Sequence, residues 1–171
     1  RRSSFEGRPH VIAPVVLITE GVHCGSGGCA FYPADELSRP ATWNGIPVPI
    51  YHPMSDDGVP ISCNSPEVIE ENNIGRLFNV VFESGKLKGE LWIDEVKARS
   101  LAPDVLSALL AGKILEVSTG LFSDDEAISG DWNGEHYDSI VRNIRPDHLA
   151  ILPGQTGACS VADGCGIRAN K

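Results

Sequence analysis

Alternation of apolar and polar residues predicts that most of this chain folds as short β-strands. Residues 10–22 form a β-branched apolar run, and residues 145–154 form another near the end of the chain. Between them, residues 75–83 and 86–93 alternate on either side of Ser84-Gly85, which is a turn dipeptide, and predict a β-hairpin. About seven such strands with one principal helix predict a mainly β domain with helices, of the α+β class. We expect a largely antiparallel β-barrel.

Helix signals are concentrated at two places. Asp94 is a good N-cap for a helix that breaks or restarts at Pro103 and ends at Gly112. A short helix is predicted near Pro33, because two acidic residues follow it and favour the first turn of a helix.

Two segments read as connections rather than as core elements. Residues 54–73 are polar, rich in turn-forming residues and poor in apolar anchors, and we expect a mobile loop there. Residues 122–144 predict a second hairpin with its turn at residues 131–134, where the sequence is Asp-Trp-Asn-Gly.

Size and charge limit the classes of partner. A chain of 171 residues can bury a hydrophobic core without support from disulfides or metal ions, so a single domain over residues 1–171 is expected. Its formal net charge of −9 argues against nucleic acid as a partner, since that would require clustered Lys and Arg. No apolar run approaches the roughly 18 to 20 residues of a membrane span, so no membrane partner is expected.

Five cysteines leave two interpretations open. Cys24 and Cys29 lie in one short loop, and Cys159 and Cys165 lie in another. These four thiols can form a zinc site with His23 as a spare ligand, which would make the chain a zinc-stabilised binding domain. Their spacings are wider than those of a zinc knuckle, so reduced thiols in a cytosolic protein are favoured.

The stretch Ile-Leu-Glu-Val-Ser-Thr-Gly-Leu (114–121) is an apolar strand with a serine at its centre. Alternation puts Val117 and Thr119 on one face and Glu116, Ser118 and Gly120 on the other. The simpler interpretation is a solvated strand edge. The alternative is a nucleophile at Ser118, with Gly120 leaving room for a substrate backbone.

Two of the five histidines are well placed to activate a serine. His52 ends a proline-rich strand, and alternation puts His148 on the same side as Ser118, with Asp147 pointing inward. His52 as base, Ser118 as nucleophile and His148 as the group that orients the base would form a catalytic triad. Asp147 and Glu116 are the carboxylate alternatives for the third role.

An ordered set of motifs resembles a known family. The chain contains GVHCGSGGCAFYP, WNGIPVPIYHP, GELWID, LEVSTGL, PDHLAILP and CSVADGCGIR, in this order and over nearly its whole length. This set resembles the prohead maturation proteases of tailed phages, which are related in fold to the herpesvirus assemblins.

The resemblance implies a Ser-His-His site. Its histidine, strand serine and third member match His52, Ser118 and His148, and Asp147 stays the alternative third member. The arginines that help to stabilise the oxyanion in assemblins are replaced here by Pro-Gly-Gln at residues 153–155. The backbone N–H groups of Thr119 and Gly120 are therefore expected as oxyanion donors.

The same resemblance implies a function and a setting. The chain is expected to be a serine endopeptidase that cleaves scaffold and major capsid proteins during prohead maturation. It would act in the bacterial host cytoplasm, inside assembling proheads, with no metal or organic cofactor. A homo-oligomer is left open. The alternative is a non-enzymatic capsid-assembly or scaffold module with the same fold.

Overall fold

Strands dominate the computed structural model, which describes residues 1–168. In chain order the strands are β1 (Arg2–Phe5), β2 (Arg8–Thr19), β3 (Gly21–Gly25), β4 (Gly28–Tyr32), β5 (Pro47–Pro49), β6 (Asn73–Glu83), β7 (Lys86–Asp94), β8 (Val117–Phe122), β9 (Gly130–Trp132), β10 (Glu135–Tyr137), β11 (Ser139–Ile140), β12 (Arg145–Ile151) and β13 (Gly166–Ile167). A mainly β, α+β fold is therefore confirmed.

Helices are short and follow the predicted capping signals in part. They are α1 (Ala34–Leu37), a 3₁₀ helix (Pro40–Trp43), α2 (Pro66–Asn72), α3 (Glu95–Leu101) and α4 (Pro103–Leu110). The Asp94 carboxylate accepts hydrogen bonds from the first-turn N–H groups of α3, as its N-cap position predicts. No helix within residues 1–168 is long and apolar enough to span a membrane.

The interval 54–73 is more ordered than its composition predicts. Helix α2 occupies residues 66–72, with the Ser65 side chain accepting from the Val68 N–H and Pro66 at the first helical position. The signal for this helix is the Ser-Pro-Glu sequence at residues 65–67, which joins an N-cap, a favourable proline and a first-turn acid.

The predicted hairpins are found with different detail. Strands β6 and β7 pair antiparallel around Ser84-Gly85, as expected. In the second hairpin, β9 and β10 pair around Asn133-Gly134. The return segment then breaks, and β11 pairs with β4 in parallel rather than continuing the hairpin.

The expected closed β-barrel is not found in residues 1–168. The strands form four sheets: a six-stranded sheet ordered β1-β2-β7-β6-β5 with β13 on β2, a three-stranded sheet β11-β4-β3, and the pairs β10-β9 and β12-β8. Among the described residues, the β12-β8 pair has no continuous ladder to the large sheet and is bridged to it at two isolated places, Ile50 with Ile151 and Leu115 with Ile167. One physical reason lies in β5, which is three residues long and has proline at both ends, so it cannot donate from those positions.

A hydrophobic cluster fills the space between the large sheet, the β12-β8 pair and helices α3 and α4. On β8 and β12, Val117, Leu149 and Ile151 are fully buried in it. Across the ladder, Ser118 lies opposite Ala150 and Gly120 lies opposite His148. Because strand side chains alternate, these four residues share the opposite face of the pair.

The cysteines are paired rather than reduced, which corrects the sequence expectation. Cys24 is bonded to Cys29 across the β3-β4 pair, and Cys159 is bonded to Cys165. Cys63 is a buried free thiol. The proposed zinc site at these loops loses its four thiolate ligands, because sulfur atoms joined in disulfides do not offer thiolates to a metal.

Candidate active site

Three elements bring the predicted catalytic side chains to one cleft. Ser118 lies in the middle of β8, His52 follows β5, and His148 lies on β12. All three line the same cleft, together with Thr119 and Gly120. The face assignment made from alternation, with His148 on the Ser118 side, agrees with the register of β8 and β12.

The two histidines are joined directly. His52 Nδ1 and His148 Nε2 lie 2.7 Å apart in a hydrogen bond, and the rings meet edge to face with centroids 5.0 Å apart. Burial, and then the positive charge that His148 can carry, lower the pKa of His52 from 6.5 to about 4. His52 is therefore neutral at pH 7, the state in which an imidazole can accept a proton.

Gly120 accommodates the His148 ring. A Cβ atom built on Gly120 would lie 2.1 Å from His148 Cε1 and 2.3 Å from Nε2. From the sequence, Gly120 was expected to leave room for a substrate backbone. In the structure the space above it holds the imidazole instead.

Asp147 is next to His148 in the chain and also touches its side chain. Its Oδ2 lies 2.7 Å from His148 Nδ1, and both side chains are almost completely buried. Simple alternation would send neighbouring side chains to opposite faces. The β12-β8 register shifts between Pro146 and His148, so a bulge at Asp147 allows both residues to reach one another.

Three consecutive residues that sequence reasoning missed hold the other side of this carboxylate. Asp147 accepts hydrogen bonds from Ser62 Oγ, from the Cys63 N–H at 2.8 Å and from Asn64 Nδ2 at 2.9 Å. These residues lie in the segment predicted as a mobile loop. No sequence pattern identifies them, because short polar residues are equally common in solvated loops.

Ser118 is half-buried in the cleft. Among the residues that the structure describes, its hydroxyl has no hydrogen-bond partner, and it makes none with His52. Catalytic hydrogen bonds in enzymes without substrate are often long and tighten when substrate binds.

Glu116, the other carboxylate alternative, does not join the histidines. Its Oε1 accepts from the Val161 N–H at 3.0 Å, and its Oε2 accepts from the Gly157 N–H at 3.3 Å. It therefore anchors the loop that contains the Cys159–Cys165 disulfide. That loop forms one wall of the cleft through residues 155–159.

The remaining histidines have partners elsewhere. His10 is bonded to the Arg8 carbonyl, His23 to the Thr19 carbonyl, and His136 to Asp131. Within residues 1–168, no three His, Cys, Asp or Glu side chains are grouped as metal ligands.

Comparison with solved structures finds a protein with the same fold. The capsid assembly protease gp21 of bacteriophage T4 superimposes with a TM-score of 0.52 and is 14% identical in sequence. The match covers 89% of this chain and 87% of that chain. No protein-family model and no curated protein matches the chain by sequence. At this level of identity the likeness concerns the fold: the chain shares the architecture of a phage capsid assembly protease.

Proposed function

We propose that this protein is a serine endopeptidase with Ser118 as nucleophile, His52 as general base and His148 as the residue that orients the base. The observation that carries the proposal is the 2.7 Å hydrogen bond between the His52 and His148 rings, in a cleft that Ser118 lines. A hydroxyl and a neutral base that line one cleft, with the base held by a third group, are the parts that nucleophilic acyl transfer requires.

The reaction follows from these roles. Ser118 Oγ attacks the scissile carbonyl carbon while His52 Nε2 accepts the hydroxyl proton, and the tetrahedral intermediate collapses as His52 returns that proton to the leaving amine. Water then attacks the acyl-enzyme, with His52 accepting its proton and returning it to Ser118 Oγ. The backbone N–H groups of Thr119 and Gly120 are proposed as donors to the oxyanion, because these two residues directly follow Ser118 and line the cleft.

The fold supports a class of substrate. A solved structure with this fold is a capsid assembly protease, so we propose scaffold and major capsid proteins as substrates. The protein would then act inside assembling phage capsids in the bacterial host. The Ser-His-His composition fits the resemblance to the herpesvirus assemblins.

One observation favours a second function. The Ser118 hydroxyl makes no hydrogen bond with His52 among the described residues, which is also what a non-catalytic capsid-assembly module would show. A cleavage assay separates the two functions. The protein is incubated with co-expressed scaffold and capsid proteins from a tailed phage, and the products are identified by mass spectrometry.

The assay has a matched control within the cleft. Ser139, on β11, also lines the cleft but lies on a different sheet from Ser118 and His148. We expect Ser118→Ala to abolish cleavage and Ser139→Ala to retain it. If both variants still cleave the substrate, Ser118 is excluded as the nucleophile. If the wild type cleaves none of the substrates, the assembly module is favoured.

A further inference from the structure

The carboxylate of Asp147 is surrounded by hydrogen-bond donors. Oδ2 accepts the Cys63 N–H and faces His148 Nδ1, while Oδ1 accepts from Ser62 and Asn64. The residue is only 5% exposed. Burial, the largest single influence, raises the pKa of Asp147, but the hydrogen bonds from these four residues together bring the pKa below its usual value. The carboxylate is therefore ionised and can only accept hydrogen bonds.

An ionised Asp147 fixes the protons on both imidazoles. His148 must carry a proton on Nδ1 in order to bond to Asp147 Oδ2, so in the neutral ring its Nε2 is an acceptor. His52 Nδ1 faces that acceptor and must be the donor. The lone pair of His52 Nε2 is then free, which is the state needed to receive a proton from Ser118.

We propose that Asp147 is a positioning residue that acts through His148, so that a chain of three hydrogen-bonded residues, His52, His148 and Asp147, supports the proposed nucleophile Ser118. The proposal rests on the function proposed above for the roles of Ser118 and His52. Asp147 touches neither substrate nor nucleophile. It sets the tautomer of His148, and His148 in turn sets that of His52.

The segment 52–64 completes this chain from both ends. It begins with His52, which bonds to His148, and it ends with Ser62–Asn64, which bond to Asp147. The two ends of this segment thus hydrogen-bond to His148 and Asp147, which are adjacent residues of β12. The hydrogen bonds that place His52 beside His148 and those that hold Asp147 therefore come from one segment of the chain.

Cys63 and Arg76 lie near Asp147, and Asp125 lines the same cleft as the histidines, where it accepts from the Ser123 hydroxyl; among the described residues none of the three hydrogen-bonds to either ring. Burial, with a smaller effect from Asp147 that outweighs the opposing charge of Arg76, raises the pKa of the Cys63 thiol to about 11, so this thiol is uncharged at pH 7. The Arg76 guanidinium on β6 donates to the Gly45 carbonyl. On the face of β8 that carries Gly120 beside His148, the side chain of Ser118 is neutral. Among the described residues, Asp147 is thus the carboxylate that hydrogen-bonds to this pair.

Two substitutions separate its effects on tautomer and charge. In Asp147→Asn, the amide oxygen can take the Oδ2 position, because the Cys63 N–H there can only donate. The His148 tautomer is then kept, while the charge and the hydrogen bond from Asn64 Nδ2 to the Oδ1 position are lost. We expect kcat to fall about tenfold with KM unchanged. The acid limb of the pH profile should move to lower pH, because the Asp147 anion no longer favours protonation of the base His52. Asp147→Ala removes the acceptor, and kcat should fall about 10²-fold or more.

The control is Asp94→Asn. Asp94 is also a buried carboxylate with a lowered pKa, but it caps α3, and asparagine is an equally good cap. We expect Asp94→Asn to leave kcat and the pH profile as in the wild type. A pH profile of Asp147→Asn that superimposes on the wild-type profile would overturn the positioning role.

Nitrogen NMR of ¹⁵N-histidine-labelled protein tests the proposal without relying on activity. In the wild type we expect His148 to be protonated on Nδ1 and His52 to be protonated on Nδ1 with a free Nε2. Both tautomers should persist in Asp147→Asn and become mixed in Asp147→Ala. Protonation of His148 on Nε2 alone in the wild type would overturn the proposal even if the Ala variant fails to fold. If the tautomers are as expected but the wild type cleaves nothing, the chain of His52, His148 and Asp147 stands and the proposed protease function fails.

Discussion

Gly120 and His148 are cross-strand partners that fit together only because position 120 has no side chain. The ring of His148 lies where a Cβ of residue 120 would be, 2.1 Å from His148 Cε1. A contact that close does not occur between real atoms, so any larger residue must displace the imidazole or the strand. The orientation of His148 toward His52 thus depends on a glycine in the neighbouring strand.

Gly120→Ala should reduce kcat/KM by about 10²-fold, because it displaces His148 from His52 while leaving both residues in the chain. Peptidase assays at matched folded fraction measure this loss. Gly27→Ala is the control, since Gly27 also lines the cleft and has open space around its Cβ position. Equal activity of the two variants would mean that the His148 position is not needed.

The pH dependence should reflect the lowered pKa of His52. Its neutral form accepts the serine proton, and burial together with His148 holds its pKa near 4. We therefore expect kcat/KM to be nearly constant from pH 6 to 8 and to fall as the pH drops toward the folded-state pKa of His52. An acid limb centred at 6.5, the usual pKa of histidine, would contradict the buried, paired environment of this base.

The same shift has a consequence for stability. His52 binds a proton less readily when folded than when unfolded, so the unfolded state gains protons first as the pH falls below 6.5. Its contribution to stability is present in full above that pH and is lost progressively toward pH 4. Urea unfolding at pH 7 and at pH 5 should show that the free energy of unfolding decreases less between these two pH values in His52→Gln than in the wild type. An identical decrease in both proteins would show that protonation of His52 is not a cause of the lower stability at pH 5.

The disulfides can be tested by counting thiols. The chain has five cysteines, and two disulfides use four, leaving 5 − 4 = 1 free thiol at Cys63. Alkylation in denaturant without reductant should add one adduct, and prior reduction should raise the count to five. Reduction should also lower the free energy of unfolding by about 2 kcal/mol for each small loop. Five adducts without reductant, from protein prepared under oxidising conditions, would show that the thiols are unpaired.

Glu116 is expected to be structural. Glu116→Ala removes the acceptor for two backbone N–H groups of the loop beside the cleft, and should lower the free energy of unfolding by about 1–3 kcal/mol. Its kcat at matched folded fraction should fall far less than that of His148→Ala. A loss as severe as that of His148→Ala would instead place Glu116 in the catalytic machinery.

Alternation was sufficient to predict much of the site. It placed Ser118 and His148 on one face, and the pairing of Ser118 with Ala150 and of Gly120 with His148 agrees with that face. It could not predict the bulge at Asp147, since a bulge breaks the two-residue period on which the argument depends. A short polar segment such as Ser62–Asn64 has no periodicity at all, so its contact with Asp147 depends on tertiary structure.

The fold shows a similar division. The β6-β7 hairpin and the Asp94 cap are local features, and their residues predict them directly. Closure of a barrel depends on hydrogen bonds between strands far apart in the chain, where the prolines of β5 limit the pairing. The disulfide pairs were missed because composition alone does not tell an oxidised cysteine from a reduced one.

The central claim is that Ser118 is a nucleophile activated by His52, and covalent trapping tests it most directly. A fluorophosphonate reacts with an activated serine and can be located by intact mass and peptide mapping, whatever the natural substrate. We expect one adduct per wild-type chain, on Ser118, with no adduct in Ser118→Ala, strongly slowed labelling in His52→Ala, and normal labelling in Ser139→Ala. Ser118→Ala should change the free energy of unfolding by no more than about 1 kcal/mol, so the absence of labelling in this variant would not reflect misfolding. A correctly folded wild-type protein that stays unlabelled, or that is labelled at another serine, would contradict the account.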